Sequence, residues 1–246
     1  MTDPRPKRLG MMIPSSNTVV EQETPKLLPT DGSVTTHISR LRIVQISGDE
    51  ESRRQFELDQ FRAAAGLLAD AKVDLILWNG TAASWLGNDW DHRLIETIEA
   101  ETGIPTTTSI VAINDALGRA GAKRIGLVTP YDASLETPII ENYAAMGVRV
   151  AAARRRDLTE NTAYAAITRD DLAGMAREVA RADVDAIVIL CTNLAGASIA
   201  PSLQAELEIP VIDSVRVSIE HCLALMSKCA TIPERGALAT RSERSL

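Results

Sequence analysis

Ala182-Asp183-Val184-Asp185-Ala186-Ile187-Val188-Ile189-Leu190-Cys191-Thr192-Asn193 reads as a short buried strand running into a polar turn, with a thiol where the strand ends. An earlier stretch nearly repeats it: Ala71-Lys72-Val73-Asp74-Leu75-Ile76-Leu77-Trp78-Asn79-Gly80-Thr81. Set side by side, Ala71, Val73, Asp74, Ile76 and Thr81 coincide with Ala182, Val184, Asp185, Ile187 and Thr192. Where the second copy has Cys191, the first has Gly80. Two related turns therefore carry one thiol between them.

Two more echoes flank this one. Lys123-Arg124-Ile125-Gly126-Leu127-Val128-Thr129-Pro130 repeats the Lys, Arg, Gly and Pro of Lys7-Arg8-Leu9-Gly10-Met11-Met12-Ile13-Pro14. Glu208-Ile209-Pro210-Val211-Ile212-Asp213-Ser214 mirrors Gly103-Ile104-Pro105-Thr106-Thr107-Thr108-Ser109. Three echoes in the same order argue for an internal duplication. Between them, the apolar periodicity predicts a strand over 34–43, one long amphipathic helix over 49–70, and helices over 110–119, 135–146, 170–181 and 198–207. Thr168 with Asp171 three residues later is a helix-start signal.

Strands alternating with helices imply an α/β fold with parallel sheets, whose ligand groups gather at strand C-terminal ends. The expected domains are a first lobe over 1–112 and a second over 113–213. A C-terminal helix over 214–230 is expected to return to the first lobe, followed by a polar, mobile tail over 231–246. Facing lobes would place 14–17, 80–84, 130–131 and 191–193 around one cleft. A single doubly wound sheet without a shared cleft is the competing arrangement.

Composition bounds the function. The chain has 246 residues and a net charge of −7, with no basic block beyond Arg154-Arg155-Arg156, which speaks against nucleic-acid binding. Aromatic residues are only 3%, so Ala, Val, Ile and Leu must fill most of the core. Three widely spaced cysteines make no disulfide framework. The polar, Pro-rich start has no apolar signal region, and no run of about 18 apolar residues could cross a membrane. The expectation is a reducing cytoplasm in which Cys191 stays a free thiol. The subunit number is open and admits a homo-oligomer.

The cleft would offer donors. Turns leading into helices present unpaired backbone N–H groups that favour carboxylates. Ser15, Ser16, Asn17, Thr81, Ser84, Thr192 and Asn193 add side-chain donors. There is no Gly-rich phosphate loop of the usual spacing and no metal-spaced His/Cys/Asp cluster, so neither a nucleotide nor a metal is expected. His37, His92 and His221 are isolated and read as surface or satisfied residues. Cys222 reads as core and Cys229 as flanking the last helix. Cys191 is either a small buried hydrophobe or a proton carrier, with Thr192 and Asn193 an unusual choice for a core.

Pro14-Ser15-Ser16-Asn17-Thr18, Thr129-Pro130-Tyr131, Asn161 and Cys191-Thr192-Asn193-Leu194 resemble the maleate cis-trans isomerases of the aspartate/glutamate racemase superfamily, which also holds arylmalonate decarboxylase. The resemblance spans residues 7–228. It implies two pseudo-symmetric flavodoxin-like lobes, a small dicarboxylate substrate between them, and no cofactor. It further implies that Asn17, Tyr131 and Asn161 bind substrate carboxylates and that Cys191 is the second-lobe catalytic thiol.

Gly80 departs from the isomerase and racemase pattern, which has a cysteine there. Two-base racemisation needs an acid/base on each face of a carbanion, and isomerisation uses the first thiol as nucleophile. One Gly and one Cys is instead the decarboxylase arrangement, in which a single donor protonates an enediolate. The leading expectation is thus a cofactor-independent decarboxylase of a small substituted malonate. Cys191 would be the donor, with Thr81, Ser84, Tyr131, Thr192 and Asn193 holding oxygens. An isomerase or racemase with a relocated base, and a carboxylate-binding protein without turnover, are the rivals. Ala82 and Ala83 suggest space beside Gly80 that Trp78 and Trp85 could fill. Gly80→Cys is expected to restore some two-thiol activity if the cleft is otherwise intact.

Overall fold

The computed structural model describes residues 5–229. The tail over 231–246 and the side chain of Cys229 lie outside the described residues. The strands are β1 (Lys7–Pro14), β2 (Val34–Leu41), β3 (Leu75–Trp78), β4 (Thr106–Thr108), β5 (Arg124–Val128), β6 (Arg149–Arg154), β7 (Ala186–Ile189) and β8 (Val211–Asp213). The helices are α1 (Val20–Leu27), α2 (Glu50–Arg54), α3 (Leu58–Asp70), α4 (Ala83–Leu86), α5 (Asn88–Thr102) and α6 (Ser109–Ala120). They continue with α7 (Ala133–Ala145), α8 (Asn161–Tyr164), α9 (Arg169–Ala180), α10 (Ala200–Leu207) and α11 (Ser214–Cys229). The strands form two parallel four-stranded sheets, ordered β2-β1-β3-β4 and β6-β5-β7-β8. The same order occurs twice, so the fold is a duplicated α/β unit rather than one doubly wound sheet.

The echoed residues do the same work in both halves. Asp74 accepts the backbone N–H of Arg8 at 2.7 Å, and Asp185 accepts that of Arg124 at 2.8 Å. Each carboxylate thus ties the turn before β3 or β7 to the start of the neighbouring strand. The echoed Gly10 and Gly126 are demanded by close packing. A Cβ there would sit 2.9 Å from Val73 and 2.7 Å from Val179, respectively.

Helix α11 returns to the first sheet. Val215, Ile219, Cys222 and Met226 are buried with Leu9, Met11, Ile13, Leu75 and Leu77 in one apolar cluster. A larger cluster runs from the other face of the first sheet through the second. No helix among the described residues is long and apolar enough to cross a membrane.

The single helix expected over 49–70 is two. Between α2 and α3 the chain breaks because Gln55 is used twice against the loop that follows β2. Its side chain accepts from the Val44 N–H at 2.9 Å and donates to the Gln45 carbonyl at 2.9 Å. The break lets Phe56 turn inward, where it packs edge-on against Trp85 at 5.1 Å. Helix α9 does begin on the capping box signalled by Thr168 and Asp171. Thr168→Ala should therefore destabilise the fold by about 1 kcal/mol. A midpoint falling by a few degrees in thermal melting would show it, and an unchanged midpoint would contradict it.

Candidate active site

Strand ends β1, β3, β5 and β7 deliver one residue group each to a cavity between the two halves. It is lined by Pro14 from the first, Trp78, Gly80 and Thr81 after the third, Tyr131 after the fifth, and Cys191 and Thr192 after the seventh. Asn161, at the start of α8, completes the polar side. Ile43, Ile46, Phe56, Ala82 and Trp85 form an apolar wall. The free volume is only ≈ 20 Å³, about the room of one water. In this conformation the cavity is too narrow for a diacid, which enters only if its walls part.

Cys191 is 3% exposed, and its Sγ accepts one backbone N–H, from Asn193, at 3.3 Å. Burial pushes the thiol up to about 12; the Asn193 N–H and the Tyr131 hydroxyl pull it down, and the buried charge of Asp213 pushes it up. Residues 192–199 are turns, and α10 begins only at Ala200. The start of α10 is therefore too far along the chain to present its N–H groups to Cys191, the first N–H groups of α11 are taken by Asp213 Oδ1, and desolvation wins. The resting group is a protonated thiol.

Beside it, the Tyr131 hydroxyl lies 2.7 Å from Thr81 Oγ1 and draws the Cys191 thiol down. The Thr81–Tyr131 hydrogen bond thus crosses from one half to the other. Burial raises the Tyr131 phenol well above its ordinary value, so it too is a neutral donor. Tyr164 stacks edge-on against Tyr131 at 5.7 Å and fixes its ring.

The other residues singled out from sequence divide in two. Asn17, Ser84 and Asn193 do not line the cavity. Asn17 Oδ1 accepts from the N–H groups of Val19 and Val20 at the start of α1, while its Nδ2 donates to Thr192 Oγ1 at 3.2 Å. Thr192 Oγ1 donates in turn to the Asn79 carbonyl at 3.1 Å. Ser84 Oγ donates to the Thr81 carbonyl at 2.7 Å.

Asn193 is a clamp between the halves. Its Oδ1 accepts from the N–H of Thr18 at 3.0 Å and of Val19 at 3.3 Å, and its Nδ2 donates to the Asn161 carbonyl at 2.5 Å. All of this is buried, so Asn193→Ala should destabilise the protein by about 2–4 kcal/mol. Urea unfolding with less than about 1 kcal/mol of change would contradict the clamp.

Gly80 has no room for a side chain. A Cβ there would lie 2.3 Å from Trp78 Cζ2 and 2.5 Å from Cε2. The space that Ala82 and Ala83 suggested is filled by the indoles of Trp78 and Trp85, so the simple restoration of a thiol by Gly80→Cys meets a steric obstacle. Sequence reasoning also missed Phe56, Ile43 and Ile46 as cavity residues. They lie in loops whose path depends on the Gln55 contacts, and no periodicity reports that.

Comparisons with known proteins fit this geometry. The maleate isomerase of Geobacillus stearothermophilus is 26% identical over 94% of this chain and 96% of its own length. The crystal structure of the maleate isomerase Iso from Pseudomonas putida S16 superposes with a TM-score of 0.79 at 28% identity, covering 91% of this chain and 94% of that one. An arylmalonate decarboxylase, solved in liganded form as a variant with one glycine changed to cysteine and one cysteine to serine, shares the fold. Its TM-score is 0.76 at 20% identity, covering 94% of each chain. Likeness of sequence thus backs the isomerase alternative better than decarboxylation. The profile of the arylmalonate decarboxylase family matches residues 9–239, nearly the whole duplicated unit with its cleft, and the chain is accordingly an enzyme of the arylmalonate decarboxylase family.

Proposed function

We propose that this enzyme turns over a small dicarboxylate without a cofactor, by chemistry that uses one thiol, and that the reaction is decarboxylation of malonate or a malonate bearing a small substituent. The observation that carries the reading is the pair Gly80 and Cys191: one thiol, with the other half unable to seat a second. In the reaction, the bond from the α-carbon to one carboxylate breaks and CO₂ leaves. The electron pair stays behind as an enediolate. Thr81, Tyr131 and the N–H groups of the two turns hold its oxygens, which is where donors contribute most. Cys191 passes its proton to the α-carbon, and water returns one to the thiolate. A thiol held protonated by burial suits a donor. The narrow cavity favours a hydrogen or methyl substituent over an aryl ring, which would have to displace the Trp78 or Trp85 indole. The natural form of the arylmalonate decarboxylase named above has a glycine and a cysteine at its two altered positions, which is the same pairing.

The second reading is cis–trans isomerisation of maleate, favoured because relatives at 26–28% identity are maleate isomerases. With one thiol, the Cys191 thiolate would add to the double bond and Tyr131 would protonate the resulting carbanion; after rotation about the new single bond the Tyr131 phenolate would take a proton back as the C–S bond breaks and the thiolate leaves. That role needs a thiolate, against the direction in which burial moves this group. The two readings separate in one assay. Malonate, methylmalonate and maleate are incubated in D₂O, and CO₂, deuterated monoacid and fumarate are measured. CO₂ with one deuteron at the α-carbon supports decarboxylation. Fumarate without CO₂ supports isomerisation. Neither product, with ligand-induced stabilisation, leaves a binding protein.

A further inference from the structure

We propose that Trp78, through the space it takes beside Gly80, is the specificity-determining residue that restricts this enzyme to one-thiol chemistry; the inference rests on the one-thiol reading and extends it to a residue outside the reacting pair. Trp78 ends β3, two residues before Gly80, and its indole runs back along the cavity wall of the first half. Three ring atoms, Cζ2, Cε2 and Cη2, lie 2.3, 2.5 and 2.8 Å from where a Cβ of residue 80 would be. Real side chains do not approach so closely, so any residue but glycine requires the ring to move.

The ring is not free to move. Trp78 is 1% exposed. Phe61 meets it edge-on at 4.9 Å, and Trp90 meets Phe61 in turn at 5.5 Å. On the other side the cavity has only ≈ 20 Å³ to receive it. The indole N–H has no hydrogen-bond partner among the described residues, so no polar contact there explains the choice of tryptophan over another apolar residue. Its bulk at the cavity wall does. Position 80 is therefore glycine because position 78 is tryptophan, and a second thiol requires both to change.

The test is a cycle of Gly80→Cys, Trp78→Leu and the double variant, read by thermal midpoint and by conversion of maleate to fumarate. Gly80→Cys alone should lower the midpoint by about 4 °C or more and form no more fumarate than wild type. Placed on Trp78→Leu, the same substitution should cost less than half as much, and the double variant should form fumarate at least ~10-fold faster than wild type. Gly80→Ala carries the same Cβ with less bulk and should show the same coupling if the cysteine variant does not fold. Additive midpoints, or equal fumarate rates in wild type and a folded double variant, overturn the proposal. A wild-type protein that releases no CO₂ from malonates while the midpoints remain coupled takes away the decarboxylase reading alone and supports the steric assignment.

Discussion

Cys191→Ala should reduce turnover by about 10²–10⁴-fold, the range lost when a positioned proton carrier is removed. The substitution takes one small atom from a buried site whose backbone N–H donates to Ser214 Oγ at 3.1 Å. That bond survives in alanine, so the fold should persist with a midpoint within a few degrees of wild type. Loss of activity with retained stability is then a statement about the proton. The pH profile carries a second part of the expectation. Burial holds the thiol protonated up to about 12, so the donor is in its competent form throughout the neutral range. The donor-side limb of kcat should stay flat from about pH 6 to about pH 9 and fall only as the thiol begins to ionise. Undiminished CO₂ release in Cys191→Ala would remove the donor, and a limb near the ordinary thiol value would mean that the site is wet during catalysis.

Tyr131→Phe should lower kcat by about 10²–10³-fold, the usual consequence of removing one donor aimed at a developing oxyanion. The phenol hydrogen-bonds Thr81 and lines the same cavity as Cys191. Without it Thr81 Oγ1 loses its 2.7 Å partner, at a stability cost of about 1 kcal/mol. The ring itself stays packed on Tyr164. A merely structural tyrosine would shift the midpoint and leave kcat near wild type. A donor to the enediolate lowers kcat more than it raises KM, because the charge it meets forms only as the bond breaks. The hydroxyl also lowers the thiol, so its loss should move the alkaline limb of the profile up, not down. A change confined to KM would assign Tyr131 to ground-state binding only.

The two readings of the reaction divide on the same residues. Relatives at 26–28% identity are maleate isomerases, and the motif resemblance implies carboxylate binding by Asn17 and Asn161. In this chain, however, Asn17 is occupied in starting α1 and in reaching Thr192, and Asn161 Nδ2 donates to Ser16 Oγ at 2.8 Å. Both can turn to a carboxylate only by giving up bonds that join the two halves. A carboxylate that drew on these amides would therefore loosen contacts between the halves. Asn193, with its three strong contacts, is the pivot that keeps them in register.

The linear sequence determined the duplication and its consequences. Two apolar runs ending in Asn79-Gly80-Thr81 and Cys191-Thr192-Asn193 define homologous strand ends, because parallel strands buried on both faces leave a continuous apolar signature and a polar exit. Asp74 and Asp185, Gly10 and Gly126 are legible as letters repeated in both copies, although the contacts that fix them come from a neighbouring strand, turn or helix. The single thiol is legible too, as a difference between copies. Tertiary structure alone decided what surrounds it. The protonation of Cys191 comes from burial by elements far apart in the chain, not from its neighbours in sequence. The division of labour between Tyr131, which lines the cavity with Cys191, and Asn193, which clamps the halves, depends on which way two polar side chains turn. The obstruction at Gly80 comes from an indole whose direction no periodicity reports, because a ring of that length chooses its place by packing against Phe61 and the cavity rather than by its position on the strand.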